Sequence, residues 1–76
     1  MGKGLGEIIR EHRKKGGLSR TELATLAGVG KTVIFDIEHD KMTVRLNTIL
    51  KILRVLNIRL ILKSPLTGEH EIDWGK

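Results

Sequence analysis

Apolar residues recur at helical spacing in four stretches of this chain, and the period changes near its end. In the first stretch Leu5, Ile8, Ile9 and His12 share a stripe, which predicts a helix from about Leu5 to Lys15, stopped by Gly16 and Gly17. A second helix begins after Ser19, because Ser19 with Glu22 three residues later forms a capping-box pattern. Leu23, Leu26 and Ala27 give it an apolar face, and Gly28 supplies a turn at no steric cost. Gly30 is an acceptable N-cap for a third helix that ends near His39. Val29, Val33, Ile34 and Ile37 are spaced for burial there, leaving Lys31, Thr32, Phe35 and Asp36 on or near the opposite side. Asp40, which follows, is a residue type that tolerates a left-handed backbone.

The fourth helix is predicted over roughly Leu46 to Leu56. Its main stripe, Leu46, Ile49, Leu50, Leu53 and Leu56, should face the core. Thr48, Ile52 and Val55 form a second apolar strip, too much for a surface helix with one buried side. After Asn57 the pattern alternates: Ile58, Leu60 and Leu62 are apolar while Arg59 and Lys63 are basic, which reads as a half-buried strand closed by Ser64-Pro65. A strand needs a partner for its backbone groups, and nothing upstream offers one. Either it pairs with its copy in a second subunit, or Glu69 to Trp74 folds back across Pro65-Leu66-Thr67-Gly68 as a hairpin. The second strip on helix 4 favours the first solution, because a symmetric dimer would bury it.

Charge adds a direction to this picture. Residues 1–63 carry thirteen Lys and Arg against six Asp and Glu, whereas residues 64–76 carry one against three. A basic body points to a polyanionic partner, and an acidic tail to something else. With 76 residues and no cysteine, the chain is one small domain without disulfide or thiolate staples, a size that often gains stability by oligomerising. No apolar run approaches membrane-spanning length and no signal-peptide core opens the chain, so a cytoplasmic location is expected.

Two short helices joined by a glycine turn, in a basic chain, have the arrangement of a helix-turn-helix, whose second helix enters the DNA major groove. Competing chemistries fail. Gly28-Val29-Gly30-Lys31-Thr32 imitates a phosphate loop, but that motif needs glycine where Thr25 stands and a strand before it. Gly2, Gly4 and Gly6 read as a flexible N-terminal arm, not a dinucleotide fingerprint. His12, His39 and His70 lie on separate elements without ligand spacing, so no metal is expected, and His12 reads as a partly buried helix residue. No nucleophile or paired carboxylate is placed for catalysis, and no cofactor is implied; an enzyme is not expected.

Leu18 to Glu38, then Lys41 and Thr43-Val44-Arg45-Leu46, resemble the lambda-repressor-like, XRE-type helix-turn-helix family over about residues 5–57. The continuation Ile58-Arg59-Leu60-Ile61-Leu62 resembles the HipB-like antitoxin-repressors, in which a strand after helix 4 completes a two-stranded sheet across the dimer. This chain departs from the family in having Lys31 and Thr32 where Gln or Arg is common early in helix 3, and Asp40 where Gly is common. The resemblance implies a mainly α, four-helix domain with a C-terminal β-strand forming an intersubunit sheet. It divides the chain into an arm (1–4), a DNA-binding domain (5–57), a dimerisation strand (58–63) and an acidic tail (64–76).

The function implied is a homodimeric, sequence-specific repressor, the antitoxin of a HipBA-like pair with a HipA-like kinase as toxin. A free-standing repressor and a protein-interaction adaptor of the same fold are the alternatives. Lys31, Thr32, Phe35 and Asp36 are expected at base edges of a palindromic operator, and Arg20, Lys41, Thr43 and Arg45 at phosphates. Arg13 and Glu38 match positions where this fold carries an interhelical ion pair. Ile52, Val55, Ile58, Leu60, Ile61 and Leu62 are expected at the dimer interface. Ile72 and Trp74 are expected to dock on the toxin, unless Glu69 to Trp74 instead pairs with the 58–63 strand.

Overall fold

The computed structural model describes residues 3–41 and 43–72. Four helices, α1 (Leu5–Lys15), α2 (Arg20–Ala27), α3 (Lys31–Glu38) and α4 (Leu46–Val55), precede a hairpin of β1 (Ile61–Ser64) and β2 (Gly68–Glu71). The helix ends follow from local chemistry. At the start of α2, Ser19 Oγ accepts from the Glu22 N–H at 3.0 Å while Glu22 Oε1 accepts from the Ser19 N–H at 2.8 Å, so the capping box is complete. All four helices close the same way. Gly17, Gly28, Asp40 and Asn57 take positive φ, and the next residue donates back to the last turn, as Ile58 does to the Leu53 carbonyl at 2.9 Å. Asp40 and Asn57 do this without glycine because short polar side chains tolerate the left-handed region.

The core gathers Ile9, Leu23, Ala24, Ile34, Ile37, Ile52 and Leu53, with α2 packed on α3 and α4, and α1 on α3. Gly6 is not part of a flexible arm. It lies in the first turn of α1, buried against the end of α3, where an added Cβ would stand 2.2 Å from the Ile37 carbonyl oxygen and 2.9 Å from Asp40 Oδ1. Only a residue without a side chain allows that approach. Gly6→Ala is therefore expected to cost about 1–3 kcal/mol by overpacking, read as a lowered melting temperature. An unchanged melt would mean that α1 and α3 can part freely.

Two faces differ from the sequence reading. Ile52, assigned above to a dimer interface, is fully buried in the core of the single chain, while Leu46 is 60% exposed. The inward side of α4 is thus centred on Ile49, Ile52, Leu53 and Leu56, with Leu50 also buried. Val55, Ile58 and Leu60 are half-buried against this same core, so much of their apolar surface is spent within the chain. His12 is exposed, its Nδ1–H donating to the Ile8 carbonyl at 2.8 Å.

The strand pairs within its own chain. β1 and β2 run antiparallel with Ile61 opposite Glu71, Leu62 opposite His70 and Lys63 opposite Glu69. The Ile72 N–H extends the ladder to the Leu60 carbonyl at 2.9 Å. Ser64 Oγ accepts from the Leu66 and Thr67 amides, and Gly68 at φ 88° returns the chain at the predicted turn. Lys63–Glu69 (3.4 Å) and Arg59–Glu71 (3.9 Å) pair across the hairpin, so the charges of the acidic tail match basic residues of β1 and its approach. The sheet expected across subunits is here an intrachain hairpin, and Ile72 belongs to it as a half-buried residue rather than to a free docking peptide. Trp74 lies outside the described residues.

Candidate nucleic-acid interface

α2 and α3 are joined by a turn of three residues, and the last turn of α2 is closed by Val29 N–H donating to Ala24 at 2.9 Å. Ile34 and Ile37 anchor α3 to the core. That burial turns the other side outward, leaving Lys31, Thr32 and Phe35 exposed and Asp36 half-buried. Lys31, Phe35 and His39 are spaced by four residues and form one stripe along the helix. Gly30 caps α3 without a side-chain hydrogen bond, and no acidic residue occupies the first turn. The helix therefore presents a positive N-terminus beside Lys31, a combination that favours anions. Lys41, Thr43 and Arg45 are exposed between α3 and α4, with Arg45 as the N-cap of α4.

Behind this surface lies a carboxylate shared by two guanidinium groups. The Glu38 side chain is fully buried, and Arg13, also buried, donates to it from Nε (2.6 Å) and Nη2 (3.1 Å), a bidentate pair that joins α1 to α3. Arg13 Nη1 also donates to the Leu18 carbonyl at 2.9 Å. The expected ion pair is present and buried. Arg20 adds a second cation, its Nε donating to Glu38 Oε1 at 3.1 Å. Burial pushes the Glu38 carboxyl up, but the hydrogen bonds and charges of Arg13 and Arg20 outweigh it and hold the group below its ordinary 4.5.

Arg20 was expected at a phosphate, yet its guanidinium lies over the Phe35 ring, 5.3 Å from the centroid, as well as on Glu38. Phe35 in turn stacks on His39 with centroids 4.0 Å apart, and His39 Nδ1–H donates to the Phe35 carbonyl at 2.7 Å. Sequence reading missed both partners. The spacing of four residues signals the Phe35–His39 stack, whereas nothing local links Arg20 to Phe35 or Glu38, fifteen and eighteen positions away. Among the described residues, no group of three or more His, Asp or Glu gathers as metal ligands, and no helix is long and apolar enough to cross a membrane.

A helix-turn-helix family model, HTH_3, matches residues 9–62. The chain is similar to y4mF, an uncharacterized HTH-type transcriptional regulator of Sinorhizobium fredii, with 34% identity over 61 residues, 80% of each protein. It is also similar to an uncharacterized HTH-type transcriptional regulator of Archaeoglobus fulgidus, 37% identical over 68 residues that cover 90% of this chain and 94% of that one. Among solved structures, SinR, the master regulator for biofilm formation, known from Bacillus subtilis, superposes in its DNA complex with a TM-score of 0.64. The identity is 34%, over 71% of this chain and 87% of that one. Against the matched chain of a SinR–SinI protein complex, this chain spans 53% of the length.

Proposed function

The chain belongs to the helix-turn-helix family, as a DNA-binding transcriptional regulator and not an enzyme, and we propose that it is a dimeric, sequence-specific repressor. The observation that carries this reading is the outer side of α3. Burial of Ile34 and Ile37 leaves Lys31 and Thr32 exposed at a positive helix end, the part of a recognition helix that meets base edges. Lys31 suits guanine O6 and N7, Asp36 suits cytosine N4, and Phe35 suits a thymine methyl. Lys41, Thr43 and Arg45 serve phosphates, fixing register without reading sequence.

Homodimerisation is supported by the hairpin. Ile61 and Leu62 are about half exposed, and Leu66 is 92% exposed. Among the described residues β1 pairs only with β2, which leaves its outer edge open to a second copy. Two subunits would present α3 to half-sites about 34–36 Å apart on a palindromic operator. Within this reading the chain is the antitoxin of a HipBA-like pair that represses its own operon and binds a HipA-like kinase, as the resemblance through residues 58–62 implies. One observation favours a free-standing repressor instead: Ile72, a docking residue in the antitoxin reading, is committed to the hairpin.

Gel-shift titration with DNA from upstream of its own gene tests the proposal. Selective binding to a palindrome is expected, and Lys31→Ala should relax preference by about 1–3 kcal/mol at one base pair. Arg45→Ala should weaken binding to all sequences alike and lower the salt slope by about one unit. Binding no tighter than to random DNA would overturn the repressor reading, and a monomer sedimenting at operator-saturating concentration would overturn the dimer.

A further inference from the structure

Phe35 is unusual for an aromatic in a small domain, because it is not in the core. It is 47% exposed, on the side of α3 that also carries Lys31 and Thr32. Yet its position is not left to solvent. Arg20 of α2 covers the ring at 5.3 Å, inside the range of about 6 Å at which a cation is drawn to an aromatic face. His39, one helical turn further, stacks on it at 4.0 Å with planes 24° apart. The same Arg20 side chain is tied through Nε to Glu38, whose fully buried carboxylate is held by the bidentate Arg13. A continuous chain of contacts thus runs from α1, through the buried ion pair, to an exposed ring on α3.

We propose that Arg20 is a positioning residue for base recognition: it clamps Phe35 to the buried Arg13–Glu38 pair, so that the ring presents a fixed apolar edge to a thymine methyl. The inference rests on the reading of α3 as the DNA-contacting helix and assigns to Arg20 a role different from phosphate binding. Geometry explains why arginine stands here. Its guanidinium donates through Nε to a carboxylate while Cζ stands over an aromatic ring, and a lysine, with a single ammonium, lacks a second nitrogen to divide between the two. A phosphate anchor needs only charge and reach. Arg20 spends its Nε inward, and its side chain is only 32% exposed.

The distinction is measurable with Arg20→Lys and Phe35→Leu, by titrating the full chain against its operator and single-base-pair variants at several salt concentrations. If Arg20 positions Phe35, Arg20→Lys keeps the salt slope of the wild type but loses about fivefold or more of its discrimination at one A·T pair. Phe35→Leu loses preference at the same pair, and the double variant is no worse than either single one. If Arg20 is a phosphate anchor, Arg20→Lys binds and discriminates like the wild type, while Arg20→Ala lowers the slope by about one unit; that result overturns the proposal. A purely structural role would lower affinity for all sequences alike without changing base preference, which also overturns it. Should Arg20→Lys fail to fold, Arg20→Gln retains an N–H donor for Glu38 and is read by the same two quantities. A wild-type protein without any base preference would remove both this inference and the repressor reading; a selective wild type with unaltered Arg20→Lys removes this inference alone.

Discussion

Arg13→Ala is expected to destabilise the fold by about 3–5 kcal/mol, because it strands a buried carboxylate. Glu38 has no exposed side-chain surface, and Arg13 supplies two of its three hydrogen bonds. Arg20 alone would then face a charge that burial disfavours. The Leu18 carbonyl also loses its Arg13 donor, which loosens the link between α1 and α2. In a domain of this size each kcal/mol moves the melting temperature by about 4–8 °C, so the loss should exceed about 12 °C in a thermal scan. A melt matching the wild type would show that the pair contributes no more than a solvated one, about 0–1 kcal/mol. The same group sets a pH dependence. Its folded-state value lies below 4.5, so its contribution is present above that value and is lost as pH falls through the depressed one. Glu38→Gln should therefore flatten the acid side of the stability profile relative to wild type.

Elements whose ends are decided locally were legible. The capping pair Ser19–Glu22 and the turn residues Gly17, Gly28, Asp40 and Asn57 act within a few positions of themselves, and the helices start and stop where those residues require. The buried Arg13–Glu38 pair was legible through the family resemblance. What failed to show is decided by distant neighbours. Gly6 reads as a flexible arm until the Ile37 carbonyl, 31 residues later, is brought against it. The alternation at residues 58–63 demands a partner without naming it, and the hairpin is chosen by Ile72 and β2. Arg20 looks like a free cation at a helix start because its carboxylate lies eighteen residues away. Among the expected base contacts, exposure of Lys31, Thr32 and Phe35 followed from the burial period of α3, but the support beneath Phe35 did not.

Ile52→Ala is the second large expected effect, and it separates a core residue from an interface residue. Helix α4 carries apolar side chains at Leu46, Ile49, Leu50, Ile52, Leu53 and Val55, with Leu56 as its C-cap, enough for two overlapping stripes, so period alone does not choose its inward side. Packing against α2 chooses it, placing Ile52 at 0% exposure beside Leu53, and leaving Leu46 outside. Truncating a side chain so enclosed removes its transfer energy and leaves a cavity, together about 2–5 kcal/mol. The loss should appear in urea melts at low and high protein concentration alike, because the core belongs to one chain. Leu46→Ala, by contrast, should stay within about 0.5 kcal/mol, as surface changes do. If Ile52→Ala left the monomer's stability intact and weakened only a concentration-dependent step, Ile52 would lie between subunits, and the packing of α4 described above would be wrong.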